Sequence, residues 1–385
     1  LREQHVLAPG GPAELDALLA EIEPQLLDLR HPLWQIILVH GLAGDDDEPD
    51  RQALIFRFHH TIADGAALLA SFDRLFGDAP NGEGAADPAP TASPVPTGRA
   101  VLAQALREQR RNWREVPALF RLTKERFGQV EERRKDAPVV VPRSMGDAPG
   151  TSLNRPGPAT RTYGRTRLPV DELLALRRAT GAALNDVVLA VVAGAVRGHL
   201  EGRGDLPDRP LVANVPVGGP PLEGPQPTWG NRFSNYLTTL ATDVTDPLER
   251  LRAISAGTDE ARIQLDLQGR DTLPSWLDRL PPAIAQPGAR FMTRRAIKDP
   301  AAANFNVLVS NVRVTDPDWS IGGHTIEHLY MSGPIADDAG LNVTLVGLAG
   351  EFHIAVVASP LAVPDADEFV ARLPLALAEL SSCIA

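Results

Sequence analysis

Between residues 53 and 76 the chain reads as a strand that runs into two histidines, turns, and restarts as a helix. In Ala53-Leu54-Ile55-Phe56-Arg57-Phe58-His59-His60 the alternation of a strand puts Leu54, Phe56, Phe58 and His60 on one face and Ile55, Arg57 and His59 on the other. Downstream, Leu68, Leu69, Phe72, Leu75 and Phe76 fall on one helical face, with Asp64 where an N-cap belongs and Gly77 at the stop. A strand–turn–helix unit with histidines at the turn therefore constrains the fold to the α/β class, and it also contains the chain's most reactive side chains.

Each of these residues has a structural and a chemical reading. An alcohol is a poor nucleophile until its proton is withdrawn, and an imidazole with an ordinary pKa near 6.5 can withdraw it in the transition state, for a gain of about 10²–10⁴. His60, at the end of an apolar row, is expected to be that base. His59 reads as a packing or orienting histidine, and Asp64 as a cap or ion-pair partner rather than a proton relay. Metal binding by His59, His60 and Asp64 is disfavoured, because neighbours on a strand point to opposite faces. No G-x-S-x-G, P-loop or G-x-G-x-x-G is present to suggest a hydrolase or a nucleotide site.

Composition narrows the alternatives. With 385 residues, 43% of them hydrophobic, the chain can bury a large core and is expected to form two domains. A net charge of −11 argues against bulk electrostatic binding of nucleic acid. The single cysteine, Cys383, excludes an internal disulfide and a cysteine metal cluster, and fits a reducing cytoplasm. Val187–Val196, the longest nearly unbroken apolar run, is too short to span a bilayer. Leu1 and the residues after it read as the interior of a domain, so an amino-terminal piece is expected ahead of them.

Along the chain, apolar spacing predicts a helix over 13–29 and strands over 34–42 and 53–59, joined by the acidic loop 45–50. Pro, Ala, Gly and Thr dominate 77–99, a linker. Residues 100–135 are helical in pattern and strongly basic, with Arg107, Arg110, Arg111, Arg114, Arg121, Lys124, Arg126, Arg133, Arg134 and Lys135. Two readings stand: a solvated connector with intermixed glutamates, or a surface for anionic lipid or CoA phosphates. A second linker, 146–158, precedes alternating strands and helices. Helices are expected at 170–180 and 187–200, and strands at 211–215, 233–241, 305–314 and 326–331. A hairpin is expected across Ala349-Gly350, and a closing helix from Asp365 interrupted at Pro374. The expected division is 1–98 as the first domain, 99–157 as connector and 158–385 as the second domain.

The motif His59-His60-Thr61-Ile62-Ala63-Asp64-Gly65 matches the H-H-x-x-x-D-G signature of CoA-dependent acyltransferases and of peptide-synthetase condensation domains. Further stretches resemble the bacterial wax ester synthase and diacylglycerol acyltransferase family: Pro32-Leu33-Trp34, Leu153-Asn154-Arg155-Pro156, Leu184-Asn185-Asp186-Val187, Gly230-Asn231-Arg232, Ser310-Asn311-Val312 and Gly340-Leu341-Asn342. The resemblance implies a two-domain chloramphenicol-acetyltransferase-like fold of mixed sheets flanked by helices, with a tunnel between the halves. It implies an O-acyltransferase that takes acyl-CoA as a substrate and a long-chain alcohol or diacylglycerol as acceptor, with no permanent cofactor and no metal.

His60, His59, Asp64 and Gly65 would then form the catalytic motif. Asn185 and Asp186 would support the site, and Pro32, Leu33, Trp34, Asn231 and Asn342 would line the tunnel. The forming oxyanion needs a neutral donor from the second domain, and Ser310-Asn311 is the expected source, Asn311 first. The expected location is cytoplasmic, with peripheral contact at the inner membrane or lipid inclusions. Two rivals are an acyltransferase or condensation enzyme of secondary metabolism and an inactive scaffold of the same fold. Where the family continues Ser-Asn-Val with Pro-Gly, this chain has Arg313-Val314.

Overall fold

In the computed structural model the described residues are 2–44, 51–77, 96–143, 146–219, 229–298, 303–312 and 319–384. The acidic loop 45–50, most of the linker 77–99 and Arg313-Val314 lie outside them.

The first half is a three-stranded sheet in the order β1 (Arg2–His5), β2 (Trp34–Leu42), β3 (Arg51–Phe58). β1 runs parallel to β2, and β2 antiparallel to β3. One face packs on α1 (Pro12–Ile22) through Leu15, Ile22, Ile37, Val39 and Leu42. α1 is shorter than the predicted helix over 13–29: Glu23 still makes the helical bond to Leu19, but Pro24 has no N–H to continue the ladder, and Leu26 is left exposed. Phe56 of β3 turns the other way, onto Leu69, Phe72 and Phe76 of α2 (Gly65–Phe76). Trp319 closes this cluster, its indole N–H donating to Asp73 at 2.9 Å.

A 38-residue helix, α3 (Gly98–Lys135), leads out of the first half. The second half is a six-stranded mixed sheet built from β4 (Thr162–Pro169), β5 (Val212–Gly218), β6 (Phe233–Thr239), β7 (Val307–Val312), β10 (Leu341–Leu348) and β11 (Glu351–Ala358), in the order β4-β11-β10-β7-β5-β6. A small hairpin, β8 (Ser320–Ile321) and β9 (His324–Thr325), stands apart. One face of the large sheet is covered by α4 (Val170–Thr180), α5 (Leu184–Gly202), α6 (Pro247–Gln268) and α9 (Ala366–Ser382), forming the main core. α5 is apolar nearly all round because it is buried between this sheet and its fellow helices. Gly194 lets α9 approach: a Cβ there would lie 2.9 Å from that of Ala376. α9 passes through Pro374 without ending. α7 (Thr272–Arg279) and α8 (Pro282–Lys298) follow α6.

The basic helix α3 is partly a clamp. Arg133 forms an ion pair with buried Glu260 at 2.6 Å, Arg126 bonds Asp271 and Thr272, Arg134 bonds Gln264, and Glu115 pairs with Arg279. Four of its charged side chains are thus spent on holding α6 and α7. Residues 326–331, predicted as a strand, are irregular. They wedge between the halves, with Leu329 and Met331 packed beside α2 and Tyr330 beside Tyr163. Among the described residues no single helix is long and apolar enough to cross a membrane.

Candidate active site

The site lies where the strand–turn–helix unit of the first half meets the open face of the six-stranded sheet. That face is defined by one row across the ladder: Leu237, Asn214, Leu308, Asn342, Val357 and Tyr163. Tyr163 and Val357 of this row pack against Leu19 and Ala20 of α1, so the row faces the first half.

β3 stops at Phe58, and the alternation that would have carried His60 inward stops with it. The His59 N–H still donates to the Leu33 carbonyl at 2.8 Å, in register with the ladder, but the His59 carbonyl is taken by the Ile62 N–H at 2.9 Å, which turns the chain away. His59 and His60 therefore sit on a turn, and both are exposed. The His59 ring is tied to that turn, its Nδ1 accepting from the Thr61 N–H at 3.3 Å and lying 2.8 Å from Thr61 Oγ1. His60 instead reaches the other half, its ring centroid 5.7 Å from that of Phe233 on β6. Its imidazole nitrogens have no hydrogen-bond partner among the described residues. Trp34 is half exposed, and its segment serves His59 through main chain.

Asp64 is buried, and both of its carboxylate oxygens are used. Oδ1 accepts from the Ala67 N–H at 2.9 Å, capping α2; Oδ2 accepts from the Arg232 N–H at 2.7 Å. The Asp64 N–H donates to the Gly230 carbonyl at 3.0 Å, and the Gly230 N–H to the Ile62 carbonyl at 2.6 Å. Gly230 has φ +104°, a conformation side chains rarely permit, so Gly230-Asn231-Arg232 is the one-strand splint that binds the motif to the second half. Asn231 itself is exposed. Gly65 completes the contact: a Cβ there would stand 3.3 Å from Val312 Cγ2 and 3.8 Å from Met331 Cε.

The remaining predicted residues divide by face. Val307 and Val309 belong to the main core, and Leu345, paired with Asn311, belongs to it too. Asn311 accordingly points to the helix-covered side, where its Oδ1 is buried without a partner among the described residues. Ser310, one residue earlier, shares the open face with Val312. Asn342 is also on the open face, but its amide donates to the Pro334 carbonyl and accepts from Thr344, which fixes the loop above it. Asp186 is buried on the helix side, bonded to Ser255, Thr258 and Arg262, and Asn185 reaches the Tyr236 hydroxyl at 3.4 Å. That pair joins α5 to α6 and β6, away from His60.

Phe233 was not singled out from sequence, since nothing local marks its approach to His60. The same holds for His353, fully buried on β11 with His328 Nδ1 3.2 Å from its Nε2. Burial, reinforced by the neighbouring His328, pushes the His353 imidazole down to about 4. Nearby, burial raises the Asp16 carboxyl to about 6 although Arg165 of β4 pairs with it.

The family model of the wax ester synthase/diacylglycerol acyltransferase catalytic domain matches residues 1–188, and that of the family's C-terminal domain matches 229–381. The chain belongs to this family. A Mycobacterium tuberculosis protein provisionally named diacylglycerol O-acyltransferase is 31% identical, the match covering 97% of this chain and 76% of that protein. A second from the same organism and with the same name is 32% identical over 94% of this chain and 75% of its own length. The wax ester synthase/diacylglycerol acyltransferase of Marinobacter aquaeolei VT8 superposes with a TM-score of 0.66 at 23% identity, covering all of this chain and 79% of that one. The first condensation domain of the calcium-dependent antibiotic synthetase gives 0.53 at 16% identity, over 99% of this chain and 77% of that one. These two establish the two-half acyltransferase fold. As a family member, the chain is an O-acyltransferase that takes acyl-CoA as substrate and forms wax ester or triacylglycerol.

Proposed function

We propose that His60 is the general base of this acyl transfer. The observation that carries the reading is the contrast between the two histidines: His59 is held within its own turn, whereas His60 stands free against Phe233 at the joint of the halves. An imidazole nitrogen of His60 takes the proton of the acceptor hydroxyl as that oxygen adds to the thioester carbonyl carbon. The C–O bond forms, the carbonyl oxygen becomes an oxyanion, and collapse breaks the C–S bond. The thiolate of CoA recovers the proton from His60, leaving ester and free CoA. Ser310, whose strand position turns it toward the motif, is the donor we assign to the oxyanion. The acceptor is a long-chain alcohol or diacylglycerol.

The protein works at a lipid surface, in the cytoplasm and peripheral to the inner membrane or lipid inclusions. Support comes from the outer side of α3. Leu106, Trp113, Phe120 and Phe127 recur every seven residues and are each about half exposed. At about 100° per residue, Arg110, Arg114, Arg121 and Lys124 flank this stripe on its solvent side.

Release of free CoA from palmitoyl-CoA, with hexadecanol, dipalmitoylglycerol or no acceptor, tests the chemistry. Acceptor-dependent release is expected, abolished in His60→Ala with folding intact and retained in part in His59→Ala. Equal loss in both variants would sink the assignment of the base.

A further inference from the structure

The floor of the site carries an amide pair that the acyl-transfer chemistry does not use. Asn235 Nδ2 donates to Asn214 Oδ1 at 2.9 Å, across the β5–β6 ladder. Both side chains are half-buried on the open face. Asn235 lies two positions along β6 from Phe233, which faces His60, so the pair begins about 7 Å from that contact. On the far side Val212 and Leu237 are closed over by Ala148 and Ala303. The pair is thus bounded by the catalytic turn at one end and an apolar plug at the other. Whichever amide donates, one NH2 and one carbonyl oxygen of the two side chains have no partner among the described residues.

From this we infer that Asn214 and Asn235 form a polar subsite for an oxygen-bearing acceptor, recognising an ester carbonyl of diacylglycerol while its free hydroxyl sits at His60. The inference rests on the proposed role of His60. A diacylglycerol carries ester carbonyls a few bonds from its hydroxyl, within the reach of a donor placed there. A fatty alcohol has only methylenes at that distance, and laying them over two amides would strip water from polar groups without replacing their hydrogen bonds. The pair therefore favours triacylglycerol over wax ester formation, a choice made by residues outside the H-H-x-x-x-D-G motif.

The test compares full-length wild-type protein with Asn235→Leu and Asn214→Leu, reading kcat/KM for dipalmitoylglycerol and for hexadecanol with palmitoyl-CoA held constant, and melting temperature as a check on folding. The ratio of the two values is expected to fall about fivefold to tenfold in each variant, the effect of one lost hydrogen bond. Asn235→Ser, which keeps a donor and serves if the Leu variants do not fold, should lie between them and wild type. A ratio within twofold of wild type in the folded variants overturns the subsite. So does a rise in the KM for palmitoyl-CoA that is equal with both acceptors, which would assign the amides to the pantetheine arm of CoA. If wild-type protein forms neither ester, the acyl-transfer reading fails and the subsite with it.

Discussion

Asp64 of the H-H-x-x-x-D-G motif accepts a hydrogen bond from the backbone N–H of Arg232, a residue 168 positions further along the chain. Two stretches that resemble the family separately in sequence are in fact one structural joint. The motif's aspartate does not face the imidazole of His60; it caps α2 with one oxygen and holds the second half with the other.

Asp64→Ala should therefore lower both stability and turnover. The lost cap costs about 1 kcal/mol, and the unsatisfied Arg232 N–H adds a comparable amount. Asp64→Asn, which keeps an acceptor for one of the two bonds, should recover part of the melting temperature. An Asp64→Ala protein that melts like wild type yet has no activity would make this carboxylate a participant in the chemistry instead.

Much of this architecture was legible in the sequence where one local period governed burial. The spans of β2, α4 and α5 and the hairpin of β10 and β11 follow their apolar patterns closely, because each is an unbroken helix or ladder packed along its length. The direction of His60 was not legible: strand alternation holds only while the ladder continues, and the Ile62 N–H ends it by turning back onto the His59 carbonyl. The wedge 326–331 alternates like a strand, yet its two faces are satisfied by two different halves rather than by a ladder. Asn311 shows the same limit. Ser-Asn-Val was visible as a motif, but which of its side chains faces the site depends on the register of β7 against β10.

On α3, replacing Arg110, Arg114, Arg121 and Lys124 with Gln should weaken sedimentation with anionic liposomes, since each basic residue near such a surface contributes about 1 kcal/mol. These four lie outside the clamps made by Arg126, Arg133 and Arg134, so melting temperature should hold. Binding that survives the four changes would return the outer face of α3 to the role of a solvated connector.

The buried histidine of β11 predicts an acid-sensitive contact between that strand and the segment 326–331. In the folded protein the His353 imidazole is depressed to about 4, against about 6.5 when unfolded, so between those values the unfolded chain binds the extra proton. Its contribution to stability is complete above about pH 6.5 and is lost as pH falls towards 4. Asp16, raised to about 6, acts in the opposite sense over part of that range, so the informative quantity is a difference. Melting temperature should fall less steeply from pH 6.5 to 4.5 in His353→Gln than in wild type. Parallel profiles would show that His353 does not titrate as a buried neutral imidazole.

Ser310 and Asn311 offer the sharpest separation of catalysis from structure, because neighbouring residues on β7 face opposite sides of the sheet. The oxyanion that forms as the acceptor adds must be met by a donor on the open face, and Ser310 presents a neutral hydroxyl there. Removing one such donor typically costs about 10²–10³ in turnover, so Ser310→Ala should lose activity by that order while its KM for acyl-CoA and its melting temperature stay near wild type. Asn311 is half-buried on the helix-covered side, with a buried side-chain oxygen that has no partner among the described residues, so Asn311→Leu should leave turnover within a few-fold and change the melting temperature instead. The two variants are distinguished by which quantity moves. If Asn311→Leu loses turnover by two orders of magnitude at unchanged stability while Ser310→Ala does not, the donor reaches the oxyanion from the helix-covered side and the orientation of β7 in the working enzyme differs from the one described.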